Sequence, residues 1–284
     1  MKALLIATTL LPQSVLSGQD VTAHWNKGAE ISSYDLVQSR YGEVHKGHAE
    51  FIFVREPFLP DQQVKDESNG PNGVPVLKLN ALRTFNTGIY SYRTMTSTFR
   101  AFDVRTFPHT LKSTTSVQDW CGQAFQQMNF RGGKWSAQLR SYFQNEGDRD
   151  FTLPAAHLED GLWLTIRLDP TLLPVGKTEL IPGALFSRFA HILQSPSEAR
   201  ATLEAEGNLQ IYSVTYAPPL DRTLSITFDT QFPHIIRSWT EGSSRGPQTT
   251  ATLKRFLPDI DYWNRNAPGD ASQRRNLGLA PLPN

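Results

Sequence analysis

Cysteine is nearly missing from this chain: Cys121 is the only one in 284 residues. A single thiol excludes an internal disulfide framework and any zinc site built on paired cysteines, so the fold must be held by buried apolar surface. Net charge is nearly missing as well, at +1, and this excludes the strongly basic balance of a general nucleic-acid binder. Long apolar runs are lacking, since no segment approaches the roughly 18 residues of a membrane helix. A Gly-rich phosphate loop, a serine nucleophile elbow and an internal repeat are also lacking, and no cofactor is implied.

What is there begins with a segment suited to export. Residues 1–18 run from Lys2 through an apolar stretch, Ala3 to Leu11, to Pro12 and then to the small residues Val15 and Ser17 before Gly18. That is the order of a cleavable signal peptide. The expected compartment is the bacterial cell envelope, periplasmic or secreted, with residues 19–284 as a single β-rich domain. A lone exposed thiol is a liability under oxidising conditions, so Cys121 is expected to be buried.

The mature chain reads as β. Phe85 to Phe143 is a dense series of alternating segments, and its last hairpin can be worked residue by residue. With Gly132-Gly133 as a two-residue turn, Phe130 lies opposite Trp135, Met128 opposite Ala137, Gln126 opposite Leu139, Ala124 opposite Ser141 and Gly122 opposite Phe143. One face is then nearly all apolar, and a slip of one residue would exchange the faces. Trp120 falls with Trp135 on that apolar face, whereas Trp25 and Trp263, nearer the ends, are freer. Strands are also expected over 31–41, 44–55, 76–82, 89–102 and 110–117, and as a meander over 209–256, with a hairpin around Gly207-Asn208. A Pro/Gly loop occupies 57–75 and a polar tail runs from 259. Leu158, Leu162 and Ile166 at four-residue spacing predict a short helix over 155–167, and Leu185, Phe189 and Leu193 predict another. The expected fold is mainly β: one large curved antiparallel sheet, half-barrel or barrel, with one or two short helices.

RYGEVHKGHAEFIFVREPF, FNTGIYSYRTMTSTF, VQDWCGQAF, LDRTLSITF followed by FPH, and DYWN resemble segments of an uncharacterised family of exported bacterial proteins. Some of its members carry a septum-formation-inhibitor (Maf-type) label. The S-x-S-P-R-R element of genuine Maf-type nucleotide pyrophosphatases is not in this sequence, so the resemblance implies an exported β-rich protein and no particular activity.

Candidate chemistry is scattered. Between Val76 and Val117 stand Lys78, Arg83, Arg93, Arg100, Arg105 and Lys112 against Asp103 alone. Such a block is a solvated face, or else a concavity that attracts an anion, because guanidinium suits carboxylate and phosphate. Arg83, Arg93, Arg100 and Arg105 are therefore the candidate ligand-binding residues for the anionic part of a lipid-like amphiphile whose apolar part sits in the sheet's concavity. Arg93 and Arg105 have a second reading, as partners of the acidic block 146–160. Cys121 is the candidate nucleophile of a hydrolase, with His109, His157, His191 and His234 as bases by default. His45 and His48, near Glu43 and Glu50, are candidate metal ligands, but on a regular strand they point to opposite faces. Asp148, Asp150, Glu159 and Asp160 supply carboxylates for glycoside hydrolysis, or else form turns and caps. Three readings follow: an envelope protein binding an anionic amphiphile, a hydrolase, and a structural or adhesion module.

Overall fold

The computed structural model describes residues 18–68 and 70–279. Of the segment read as a signal peptide, residues 1–18, all but Gly18 lie outside the described residues. The chain opens with helix α1, Gly18–His24, and then lays down strands β1, Ala29–Arg40; β2, Glu43–Leu59; β3, Val64–Lys65; β4, Val74–Thr87; β5, Tyr90–Ala101; β6, Lys112–Asp119; β7, Gly122–Arg131; β8, Lys134–Ser141; β9, Arg149–Pro154; and β10, His157–Leu158. Helix α2, Glu159–Leu168, follows at once, then β11, Gly176–Ile181, helix α3, Ala184–Phe189, and a meander of β12, Ser197–Glu206; β13, Leu209–Tyr216; β14, Thr223–Asp229; β15, Ile236–Gly242; and β16, Thr249–Ile260. Short 3-10 segments complete the described chain, among them Pro170–Leu172 after α2 and Pro268–Leu277 near its end.

These strands form one sheet in the order β10-β11-β12-β13-β14-β15-β16-β1-β2-β4-β5-β6-β7-β8-β9, with β3 beside β2. Every pairing is antiparallel except β10 with β11. The two outermost strands, β9 and β10, are neighbours in sequence, linked only by Ala155 and Ala156. The sheet therefore curls until its edges meet without ladder hydrogen bonds between them. Apolar packing bridges the seam instead: Met128, Trp135 and Ala137 from one edge meet Leu158 and Ile181 from the other, and the Trp135 indole donates to the Ala156 carbonyl at 3.1 Å. The expected large curved antiparallel sheet is present, short of a closed barrel.

The β7–β8 ladder has the register that the alternation predicts, with Phe130 opposite Trp135 and Gln126 opposite Leu139. It stops before the last expected pair: β8 ends at Ser141, and the Tyr142 ring rather than Phe143 covers the bare backbone of Gly122. Trp120 and Cys121 are turn tips and not strand residues, because the Asp119 carboxylate accepts from the backbone N–H of Cys121 and of Gly122 and closes a tight turn. The expectation that both are buried is thus corrected: Trp120 is 72% exposed and the Cys121 thiol is on the surface. Trp25, read as free, is buried instead, its indole donating to Glu30 at 3.1 Å. The loop over 57–75 is shorter than composition suggests, because β2 carries through Pro57 to Leu59 and β4 resumes at Val74.

Helix α2 determines the character of the interior. All ten of its residues are buried, and a helix whose Leu162, Trp163, Leu164, Ile166 and Leu168 face all round has no solvent side. It fills the concavity, packed against Tyr34, Phe51, Leu79, Tyr212, Ile226 and Trp239 on the inner face of the sheet. The Phe51 and Trp239 rings stack at 4.9 Å, and Trp163 meets both edge-on. The concavity that was to receive the apolar part of a ligand is therefore occupied by the chain itself.

Candidate functional site

A filled interior leaves function to its polar inclusions, and two of them lie at the ends of α2. At its N-terminus, Glu159 and Asp160 enter the core with the helix dipole in their favour. Arg222, just before β14, donates to Glu159 at 2.6 Å and to Glu241 on β15 at 2.8 Å. Tyr216 donates to Glu159 at 2.7 Å, and Arg83 on β4 pairs with Glu241 and donates to Gln38 at 3.2 Å. Burial alone would raise the Glu241 carboxyl, but the Arg83 and Arg222 guanidiniums outweigh it and hold it down to about 2. At the C-terminus of α2, the fully buried Arg167 pairs with Glu30 and lies over the Phe53 ring at 4.5 Å. Both clusters match charge with charge, as structural inclusions do.

Asp160 differs from its neighbours. Its carboxylate takes the Ser113 hydroxyl at 2.9 Å and the Ala184 N–H at 3.1 Å. Burial, then the adjacent Glu159 charge, push it up to about 7. A carboxyl whose folded pKa is raised contributes stability that is present at low pH and lost as pH climbs from the unfolded pKa, near 4, to about 7. Asp160→Asn is uncharged and of the same shape: its amide oxygen accepts from the Ala184 N–H, and its NH2 donates to the Ser113 hydroxyl, which turns from donor to acceptor. The variant is expected to remove this slope, matching the parent only below the unfolded pKa, at about pH 3, and exceeding it by on the order of 4 kcal/mol at pH 8 in chemical denaturation; an unchanged pH profile would contradict the assignment.

The third inclusion is unmatched. Arg100, on the inner face of β5 and 7% exposed, lines a small recess with His109, Thr110, His157, Leu158, Leu162 and Leu172. The recess has room for about one water. No ion pair or hydrogen bond reaches the Arg100 guanidinium among the described residues, and its Nε is wholly enclosed with nothing to donate to. Burial, with no opposing carboxylate, pushes this guanidinium down to about 10. Beside the recess α2 comes very close to the β5–β6 link: a methyl group built on Gly161 would overlap the Thr110 hydroxyl. Leu172, 41% exposed, and Pro174 line the recess on the side of the link after α2, and Val175, the next residue in the chain, is 60% exposed.

The four arginines read together from sequence do not converge. Arg83 pairs across the sheet with Thr94, and Arg100 with Leu77, six positions away along the ladder and thus about 20 Å apart. Arg93 and Arg105 are exposed. Neither is a partner of the acidic block, whose acids instead pair with Arg188 for Glu146, Arg140 for Asp150 and Arg222 for Glu159.

The other candidates fall apart in space. His45 lies within 3.2 Å of the Arg40 carbonyl, and His48 is 3.6 Å from Glu50 on a strand whose register runs unbroken through Gly47. Among the described residues no three metal-binding side chains come together. Residual burial, then the Asp119 charge, raise the Cys121 thiol and disfavour the thiolate. Of the four histidines, His191 pairs with Glu146 at 3.1 Å, and His234 meets the Asp229 carbonyl at 3.1 Å. His109 and His157 join Arg100, and nothing local in the sequence marks that grouping, because the fold brings together β5, β10 and the link between β5 and β6.

No protein-family model matches the chain, and no curated protein matches it. Among solved structures it is similar to a beta-barrel-like protein of a domain of unknown function, DUF1849, from Brucella abortus. The match has 9% sequence identity and a TM-score of 0.47, and it covers 81% of this chain and 97% of that one.

Proposed function

We propose that this protein is an exported envelope protein that binds an amphiphile by its acidic head, held at Arg100. The observation that carries the reading is the contrast between Arg100 and the other arginines enclosed in the core: Arg83, Arg167, Arg188 and Arg222 each have a carboxylate partner, and Arg100 has none among the described residues. A buried cation without a counter-charge is costly, and a carboxylate, sulfate or phosphate oxygen entering the recess supplies it through charge-assisted hydrogen bonds. With α2 filling the concavity, the apolar part of the ligand has its place outside the recess, on Leu172, Pro174 and Val175. The export half of the reading is supported by the residue order of 1–18 alone.

The test is thermal unfolding with octyl sulfate below its micellar concentration, beside inorganic sulfate and octanol. Ligand bound to the native state raises the midpoint by mass action, with about 2–4 °C for each kcal/mol in a chain of this size. Octyl sulfate is expected to stabilise the parent saturably and more than either fragment, and to leave Arg100→Met unmoved. Equal stabilisation of parent and variant would overturn the assignment. Stabilisation by sulfate as strong as by octyl sulfate would remove the apolar part of the ligand from it.

A further inference from the structure

We infer that the recess takes up protons with its anion, so that affinity rises as pH falls through the titration of His109 and His157. This rests on the reading of Arg100 as an anion site. The two imidazoles line the recess with Arg100, their ring centroids 6.3 Å apart.

The surroundings of both rings can be taken element by element. From β5 they meet Arg100, and from β7 the uncharged Phe130 ring, 4.4 Å from His109. From α2 come Gly161, Leu162 and Thr165, whose hydroxyl is committed to the Gly161 carbonyl at 3.0 Å. From the link after α2 come Leu172 and Pro174. Further along β6 and β7 are Lys112, held by the Gln63 carbonyl at 2.7 Å, and Arg131. Among the described residues no carboxylate lines the recess, and the nearest acid on α2, Asp160, is turned to Ser113 and Ala184. Every charged group facing the histidines is therefore a cation.

That arrangement sets the sign. Burial, then Arg100, hold His109 below its ordinary range, and burial, then His109 and Arg100, do the same to His157. An anion drawn to Arg100 replaces a positive field at both rings with one near neutral or negative, and each imidazolium gains a hydrogen-bond acceptor. The bound state therefore holds more protons than the free state between the two sets of pKa values. Each proton taken up makes affinity change by up to about tenfold per pH unit inside that window, with plateaus on either side.

The experiment is isothermal titration of octyl sulfate, which keeps one negative charge throughout, at intervals from about pH 5 to about pH 8, a range spanning free and anion-bound histidine. Each pH is measured in two buffers of different ionisation enthalpy. Expected are a dissociation constant that rises roughly 3- to 30-fold across the range, a binding heat that depends on the buffer, a shallower slope in His109→Gln and in His157→Gln, and none in the double variant. A flat profile that still depends on Arg100 overturns the proton coupling and leaves the anion site standing. Loss of any Arg100-dependent binding at every pH overturns the anion site itself. If the double variant does not fold, histidine ring titration by NMR in the parent decides the matter: both pKa values rise on adding octyl sulfate, or the coupling is wrong.

Discussion

Arg222→Met is expected to cost about 3–5 kcal/mol at neutral pH, enough to threaten the fold, because it leaves buried carboxylates without their cation. Arg222 is nearly fully enclosed, bonds both Glu159 and Glu241, and lies over the Phe186 ring at 4.3 Å, so one side chain joins α2, β15 and α3. Its two carboxylates also hold it charged, well above the ordinary arginine range despite burial. In the variant Glu159 retains only the Tyr216 hydroxyl and Glu241 only Arg83 and its environs. An uncompensated carboxyl has a raised folded pKa, so the missing stability should be partly restored at pH 5 and largest at pH 8. Arg222→Lys should recover only part of the loss, since an ammonium does not span two carboxylates as a planar fork does. Urea unfolding of the three proteins at both pH values checks this, and a loss of less than 1 kcal/mol for the methionine variant would mean that the network contributes little to the core.

The hairpin around Gly132-Gly133 was legible because two local signals agree there, a turn pair and strict alternation. The same agreement makes the meander from β12 to β16 readable, and it places α2 within a few residues. That α2 goes inside the sheet was also written in the sequence: Leu162, Trp163 and Leu164 in succession leave no polar stripe for solvent. The four-residue spacing of Leu158, Leu162 and Ile166 predicts a helix with one apolar stripe, and it is the residues between them that make the other sides apolar and put a helix where the sheet alone predicts a hollow. Burial of Cys121 is expected because an exposed thiol is a liability, an argument that no local pattern carries, and the thiol is on the surface; Trp120 departs from expectation for a different reason. Alternation was carried through Asp119 to Gly122, although an aspartate three residues before a glycine is itself a turn signal.

The recess was not legible in this way. Arg83 and Arg100 stand on adjacent strands, among similar neighbours, and both reach the inner face. What separates them is Glu241, which reaches Arg83 from 158 residues away in the chain, and the absence of a comparable acid among the described residues near Arg100. His109 and His157 are likewise joined only by the curl of the sheet. Local patterning records which side chains turn inward; it does not record which charges meet there.

That difference between two similar arginines predicts opposite responses to one substitution. Arg83→Met should cost about 3 kcal/mol, since it strips Glu241 of a partner in the core. Arg100→Met should instead raise stability in ligand-free protein by about 1–2 kcal/mol: a buried cation with nothing to bond is replaced by an unbranched apolar chain that can follow the same path. The gain comes with a loss of function, as for other sites that hold a strained or unsatisfied group for a ligand. Binding of octyl sulfate should weaken by about 30-fold or more, the ordinary cost of removing one member of a buried charged pair. Stability by denaturant and affinity by titration, measured on the same two variants, separate the cases. If Arg100→Met proves as damaging as Arg83→Met, the guanidinium has a partner within the chain and the recess no longer calls for an anion; if it stabilises the fold while abolishing binding, the arginine is kept for what it holds.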